Sequence, residues 1–169
     1  DYKKAIVLGN KLLQIYAEND DCDCIEYAVD MSNLAMVFDR LQLYPQAEKY
    51  YKQAAELKKR CGGESLSYAD TLNNLAIVYN QTSRQTEALR LHRKVLEIRE
   101  AKLGREHADF LHSLYHIGNT YELLGEYDKA IEYHAMALRN NTFSTLELAD
   151  VHGALARAYE AKGNYKKAI

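Results

Sequence analysis

His112 and His116 stand four residues apart, so a helix would place both imidazoles on one face, a spacing able to chelate a divalent cation. Asp70 is an acidic residue that a neighbouring helix could bring near them. No HExxH base lies between the two histidines, so they read as a solvated or peptide-contacting pair. The second candidate is Asn19-Asp20-Asp21-Cys22-Asp23-Cys24. A Cys-x-Cys pair among aspartates lacks the second ligand pair of a zinc site, and the glycine and terminal glutamate of a calcium loop, so it reads as a helix-capping connection. The chain carries no nucleophile–base motif, glycine-rich phosphate loop or metal-ligand set. It therefore reads as non-enzymatic, with no cofactor and no metal.

The elements that must position these residues follow from the stretch Thr71–Ala88. In it Leu75-Ala76 is followed by Tyr79, a turn at Ser83, and Ala88. The same order recurs as Leu34-Ala35, Phe38, Gln42, Ala47; as Ile117-Gly118, Tyr121, Gly125, Ala130; and as Leu155-Ala156, Tyr159, Gly163, Ala168. The steps between the leading residues are 41, 42 and 38, a period that signals stacked supersecondary units. A small residue beside a large one lets two helices cross closely while its neighbour fills the groove. The expected fold is all-α, a right-handed superhelical array of antiparallel helix pairs.

The pattern resembles the tetratricopeptide repeat (TPR) family, whose signature is a large–small pair, an aromatic three residues on, and an alanine after the turn. Within that family, TLNNLAIVY, KVLEIREAKLG and Arg105-Glu106-His107 resemble the roughly 42-residue repeats of kinesin light chains. The segment GNTYELLGEYDKAIEYHAMAL is also similar to repeats of mitotic-spindle adaptors. The expected organisation is a single array: a partial repeat 1–24, repeats 25–64, 65–106 and 107–144, and a partial repeat 145–169. Predicted helices cover 25–41, 45–59, 65–81, 85–102, 107–124, 127–139 and 145–162, with an apolar helical stripe in 1–18. Asp1-Tyr2-Lys3-Lys4-Ala5-Ile6 matches Asn164-Tyr165-Lys166-Lys167-Ala168-Ile169 in phase, which points to a fragment of a longer array.

Composition fits and adds limits. Of the 169 residues, 47% are hydrophobic and 27% charged, and one proline leaves little room for disordered linkers. Net charge is −2 with signs interspersed, so nucleic acid is not an expected partner. No apolar run reaches the roughly 18 residues of a membrane span. Three cysteines read as reduced thiols of a cytoplasmic protein.

In such arrays the first helix of each pair lines the inside, and its free face can hold a ligand. Helical phase places Asn33, Met36 and Arg40 there in the first repeat, and Asp70, Asn73, Asn74 and Ile77 in the second. It adds His112, Tyr115, His116 and Asn119 in the third and Arg157 in the last. Amides suit an extended peptide backbone. The resemblance implies the same, because the asparagine of NNLA contacts peptide backbone in that family and maps to Asn74 and, by phase, Asn33. The expected function is a protein-interaction scaffold or adaptor that holds a partner's peptide in a concave groove. Two alternatives are a structural spacer, and a chaperone-tail domain gripping a carboxylate with Ser32, Met36, Asn74, His112 and His116, of which Asn74 alone fits that set. If His112 and His116 charge, an acidic partner should bind more tightly near pH 5.5 than near pH 8. His92 and His134, where the first repeat has Tyr51, read as packing residues with one satisfied nitrogen, and His152 falls on the buried side. The apolar ends predict weak head-to-tail self-association.

Overall fold

The structure, a computed structural model, describes residues 2–18, 24–139 and 145–163. These form helices α1 (Tyr2–Glu18), α2 (Cys24–Arg40), α3 (Tyr44–Gly62), α4 (Leu66–Gln81), α5 (Gln85–Leu103), α6 (Ala108–Leu123), α7 (Tyr127–Ala137) and α8 (Thr145–Ala161), and the described residues contain no strand. Their bounds fall within about three residues of those expected. The largest difference is α3, which runs on through Cys61 and Gly62 until Gly63 turns the chain at φ 64°. None of the described helices is long and apolar enough to cross a membrane.

The tight turn inside each pair has one form throughout. Gln42, Ser83, Gly125 and Gly163 all adopt left-handed backbone, with φ of 58°, 60°, 75° and 78°. Glycine takes this conformation freely, whereas glutamine and serine do so at a cost of about 1 kcal/mol. The longer connections between pairs are capped by side chains. The Ser65 hydroxyl accepts the Tyr68 amide at 3.2 Å, and His107 Nδ1 accepts the Asp109 amide at 3.1 Å.

The chain divides into two compact units, Asp1–Thr82 and Ser83–Ile169. In the first, Leu34, Ala35, Phe38, Ala47 and Tyr51 are buried together with Leu72, Leu75, Ala76 and Tyr79. Phe38 stacks on Tyr50 with centroids 5.5 Å apart. In the second, Ile117, Tyr121, Ala130 and Ala158 form one cluster, and Phe110, Leu111, Leu114, Ala137 and Val151 another. The small residues Ala35, Ala76 and Gly118 are buried as expected, whereas Leu155 and Ala156 of the last pair are half-buried. At Gly118 an added Cβ would lie 2.5 Å from the His134 ring, so the ring would have to move to admit a larger residue.

Helix pairs are joined by polar latches at a fixed register. Tyr16 donates its hydroxyl to the Asp30 carboxylate at 3.1 Å. Lys58, buried, donates to Thr71 Oγ1 at 2.8 Å and to the Ser67 carbonyl at 3.3 Å. Arg99, also buried, donates to Ser113 Oγ at 2.9 Å and to the Asp109 carbonyl at 3.0 Å. Burial pushes the Lys58 ammonium below its usual range, and the Asp70 carboxylate offsets part of that.

Two expectations are corrected. Cys24 and Cys61 form a disulfide, with Cα atoms 6.5 Å apart, closing the open end of the α2–α3 hairpin. Reduced thiols were the ground for a cytoplasmic placement, and that ground is removed for these two; Cys22 lies outside the described residues. His152 is exposed, although Met31, Leu72 and Leu114 at the same register are buried. Leu114 is covered by Ala137 of its own second helix.

Candidate functional site

The inner face of the first unit is built by α2 and α4. Leu34, Ala35 and Phe38 turn into the core, which leaves Val29, Asn33, Met36 and Arg40 on the opposite face of α2, all exposed. Val29 and Met36 keep 36% and 40% of their surface accessible. On α4, Asp70 is exposed, Asn74 and Ile77 are half-buried, and Asn73 is buried with its Oδ1 unbonded. The two helices are tied by Ser32, whose hydroxyl donates to the Ala28 carbonyl at 2.9 Å and lies 3.2 Å from Thr71 Oγ1. Asn74 also interacts with the hydroxyl of Tyr51, whose phenol is pushed above its usual range by burial first and the Asp39 carboxylate second. That interaction falls short of a full hydrogen bond. Asp39 itself is raised by burial, with Arg40 acting against it.

In the second unit the candidates are less open. His112, Tyr115, His116 and Asn119 on α6 are all half-buried. His116 stacks face to face on the fully buried His92, centroids 5.4 Å apart and rings 4° from parallel. Tyr115 lies against His116 at 5.6 Å and against His134 at 5.7 Å, so four rings run from α5 through α6 to α7. Arg157 on α8 is exposed and donates from Nε to Glu122 Oε1 at 3.1 Å.

These surroundings decide the charge of the imidazoles. Burial pushes His92 down to about 3, helped by the positive potential of His116 and Arg99. Burial also lowers His116 to about 4, with His112 and Arg99 adding to it, and lowers His134 to about 4, with Arg157 adding to it. His116 is therefore neutral at pH 5.5, and the expected strengthening of acidic-peptide binding by its protonation does not follow. Carboxylate gripping by the chaperone-tail set loses the same cation, and Ser32 in that set is engaged with Ala28. His92 and His134 are buried as expected, but neither nitrogen of either ring is bonded, so the anticipated single hydrogen bond is missing. Stacked parallel rings do not converge their lone pairs on one point. Among the described residues no group of three or more histidine, cysteine or acidic side chains could hold a metal ion.

With this geometry in view, comparison with known proteins identifies the family. The tetratricopeptide repeat model matches residues 1–60, 27–101 and 67–142, and a second model of the same description matches 151–169. The chain belongs to the tetratricopeptide repeat family. Solved structures show the same fold at low identity. BtubC (BKLC) from P. vanneervenii superposes with a TM-score of 0.89 at 24% identity, covering 99% of this chain and 69% of that one. A Podosopora anserina putative kinesin light chain with nearly identical TPR-like repeats gives 0.81 at 22%, covering 99% and 82%. MamA gives 0.70 at 18%, covering 99% and 82%. No curated protein matches the sequence.

Lys58, Arg99 and Glu122 are organising side chains that were not expected from the sequence, whereas Tyr51 fills the packing register it shares with His92 and His134. For Lys58 and Arg99 the signal was present, since they stand 41 residues apart, one repeat, facing Thr71 and Ser113 at 42.

Proposed function

We propose that this TPR protein is a protein-interaction scaffold that holds a partner's extended peptide on the α2–α4 face. Asn33 and Asn74 would bond its backbone, Met36 and Ile77 would take an apolar side chain, and Arg40 and Asp70 would set its direction by charge. The observation that supports this is the exposure of Val29, Asn33, Met36 and Arg40 in one row on a helix whose other face is fully packed. A solvated face with no ligand would carry lysine and glutamate in place of valine and methionine. Asn73, His112, Tyr115, His116, Asn119 and Arg157 would extend the contact only weakly, because most are occupied within their own unit. Binding, not catalysis, is the role proposed. The test is selection of peptides from a displayed library against the chain, followed by the Asn33→Ala, Asn74→Ala double variant. Loss of affinity by tenfold or more with an unchanged circular dichroism spectrum is expected; peptides that bind the variant equally well would refute it.

Weak head-to-tail self-association is proposed on separate grounds. Val7, Leu8, Leu12 and Ile15 leave an apolar face exposed on α1. At the register of Leu8, Tyr50 stacks on Phe38 and Tyr133 on Tyr121. Tyr159 on α8 is the residue of that type which a second copy could offer. Sedimentation showing a strict monomer at millimolar concentration would exclude it.

A further inference from the structure

His134 lies at the point where α6, α7 and α8 meet. Its ring is fully buried, and neither nitrogen has a hydrogen-bond partner. One turn to either side on its own helix stand Ala130, Ile131, Ala137 and Leu138, none of which can accept a proton. From α6 it is faced by Tyr115, by Gly118, and by Glu122, whose Oε2 is 3.8 Å from Nε2. From α8 it is faced by the charge of Arg157. The one anion in reach among the described residues is thus beyond hydrogen-bond distance, and its other oxygen already accepts from Arg157 at 3.1 Å. The ring cannot shift toward α6, because it occupies the space where Gly118 lacks a side chain.

We propose that His134 is a proton sensor for the docking of α7 and α8 on α6: a proton added to its ring has no hydrogen-bond partner there, and the three-helix junction loosens to accommodate it. The proposal does not rest on the peptide-binding role. The first unit has no equivalent, because Tyr51 fills this register with a phenol that is neutral throughout the same range.

The direction follows from linkage. The His134 imidazole takes a proton near pH 6.5 when the junction is open and near 4 when it is closed. Between these values the open form holds the proton and the closed form does not, so closure weakens as pH falls through 6.5 and levels off below 4. Each pH unit within the window is worth close to tenfold, on the order of a hundredfold in all by pH 4.5.

Hydrogen exchange of the whole chain, read by mass spectrometry at pH 7, 6, 5 and 4.5 and corrected for intrinsic rates, tests this. Protection of α7 and α8 should fall on the order of a hundredfold while α2 and α3 keep theirs. His134→Tyr, which copies the side chain that Tyr51 places at this register, and His134→Phe should each reduce the acid loss to the part that the buried His92 sets. Loss in both variants equal to that of the unsubstituted chain would assign the effect to other groups, the buried His92 first among them, and overturn the proposal. So would protection of α7 and α8 that stays flat in the unsubstituted chain, or an assigned His134 Cε1–H resonance titrating near pH 6.5 in the folded protein. If neither variant folds, those two measurements on the unsubstituted chain decide the question.

Discussion

The two units solve one packing problem with different chemistry. Four residues after the alanine of the second helix, the first unit buries a tyrosine, Tyr51, and the second buries histidines, His92 and His134. Eleven residues after it stand Lys58 and Arg99, each donating to a hydroxyl and a carbonyl on the following helix. What the position requires is a ring of a given size, and either phenol or imidazole supplies it. What differs is the response to solvent conditions, which the side chain sets and the fold does not. The first unit is also closed by a disulfide, whereas no second disulfide occurs among the described residues. The first should therefore respond to reductant and the second to acid.

The largest expected effect is acid on the second unit. His92 and His134 are fully buried and neutral, and an unfolded histidine takes up a proton near pH 6.5. Because the folded values lie below the unfolded one, stability is complete above about pH 6.5 and is lost as pH falls. At pH 5 each ring costs about 2 kcal/mol, so the pair removes about 4 kcal/mol. Chemical denaturation at pH 7 and 5, followed by exchange in α6 and α7, would show it; equal midpoints would contradict the assignment. Reduction comes next. Opening the Cys24–Cys61 link, whose partners are 37 residues apart, should remove about 3 kcal/mol from the first unit and leave the second unchanged. Denaturation with and without a phosphine reductant measures it, and a loss shared by both units would break the comparison.

Gly118→Ala should destabilise the second unit by about 1–3 kcal/mol, because the new methyl meets the His134 ring, which packing holds in place. Ala35 and Ala76 show that the first unit accepts a methyl at this register. Thermal unfolding of Gly118→Ala within 0.5 °C of the parent chain would show that the crossing is looser than described. The smallest effects separate equivalent inner-face residues. Asn33→Ala, at an exposed site, should cost less than about 0.5 kcal/mol, whereas His116→Ala, which loses the stack on His92, should cost about 1–2 kcal/mol. Equal costs would mean that the two faces are equally free.

The repeat was legible because its signals are local: a large–small pair, an aromatic, and a turn at fixed spacing. Gln42 and Ser83 were placed at the turn by register alone, with residue types that do not announce a left-handed conformation. The disulfide was missed because the three cysteines were weighed by number and compartment. Yet Cys24 and Cys61 are equidistant from Gln42-Leu43, and an antiparallel hairpin must bring two such positions together. The state of the histidines was not legible. Phase puts His116 on the inner face, but only the position of His92 beneath it shows that the ring is spoken for.

The latches carry a consequence for how the chain finds its register. An array of similar repeats can misfold by pairing a helix with the right neighbour type from the wrong repeat, since the apolar faces differ little. Here three junctions each have their own polar lock: phenol on carboxylate at Tyr16–Asp30, ammonium on threonine at Lys58–Thr71, guanidinium on serine at Arg99–Ser113. A slip by one repeat would set the Tyr16 phenol against Thr71 and the Lys58 ammonium against Ser113, leaving the Asp30 carboxylate without its donor and Arg99 without a hydroxyl. Buried polar groups that lose a partner cost more than matched ones contribute, so the mismatch penalises each wrong pairing at the moment it forms. The locks act as an address for the three junctions that carry them, favouring one order of assembly out of several that the hydrophobic surfaces alone would tolerate.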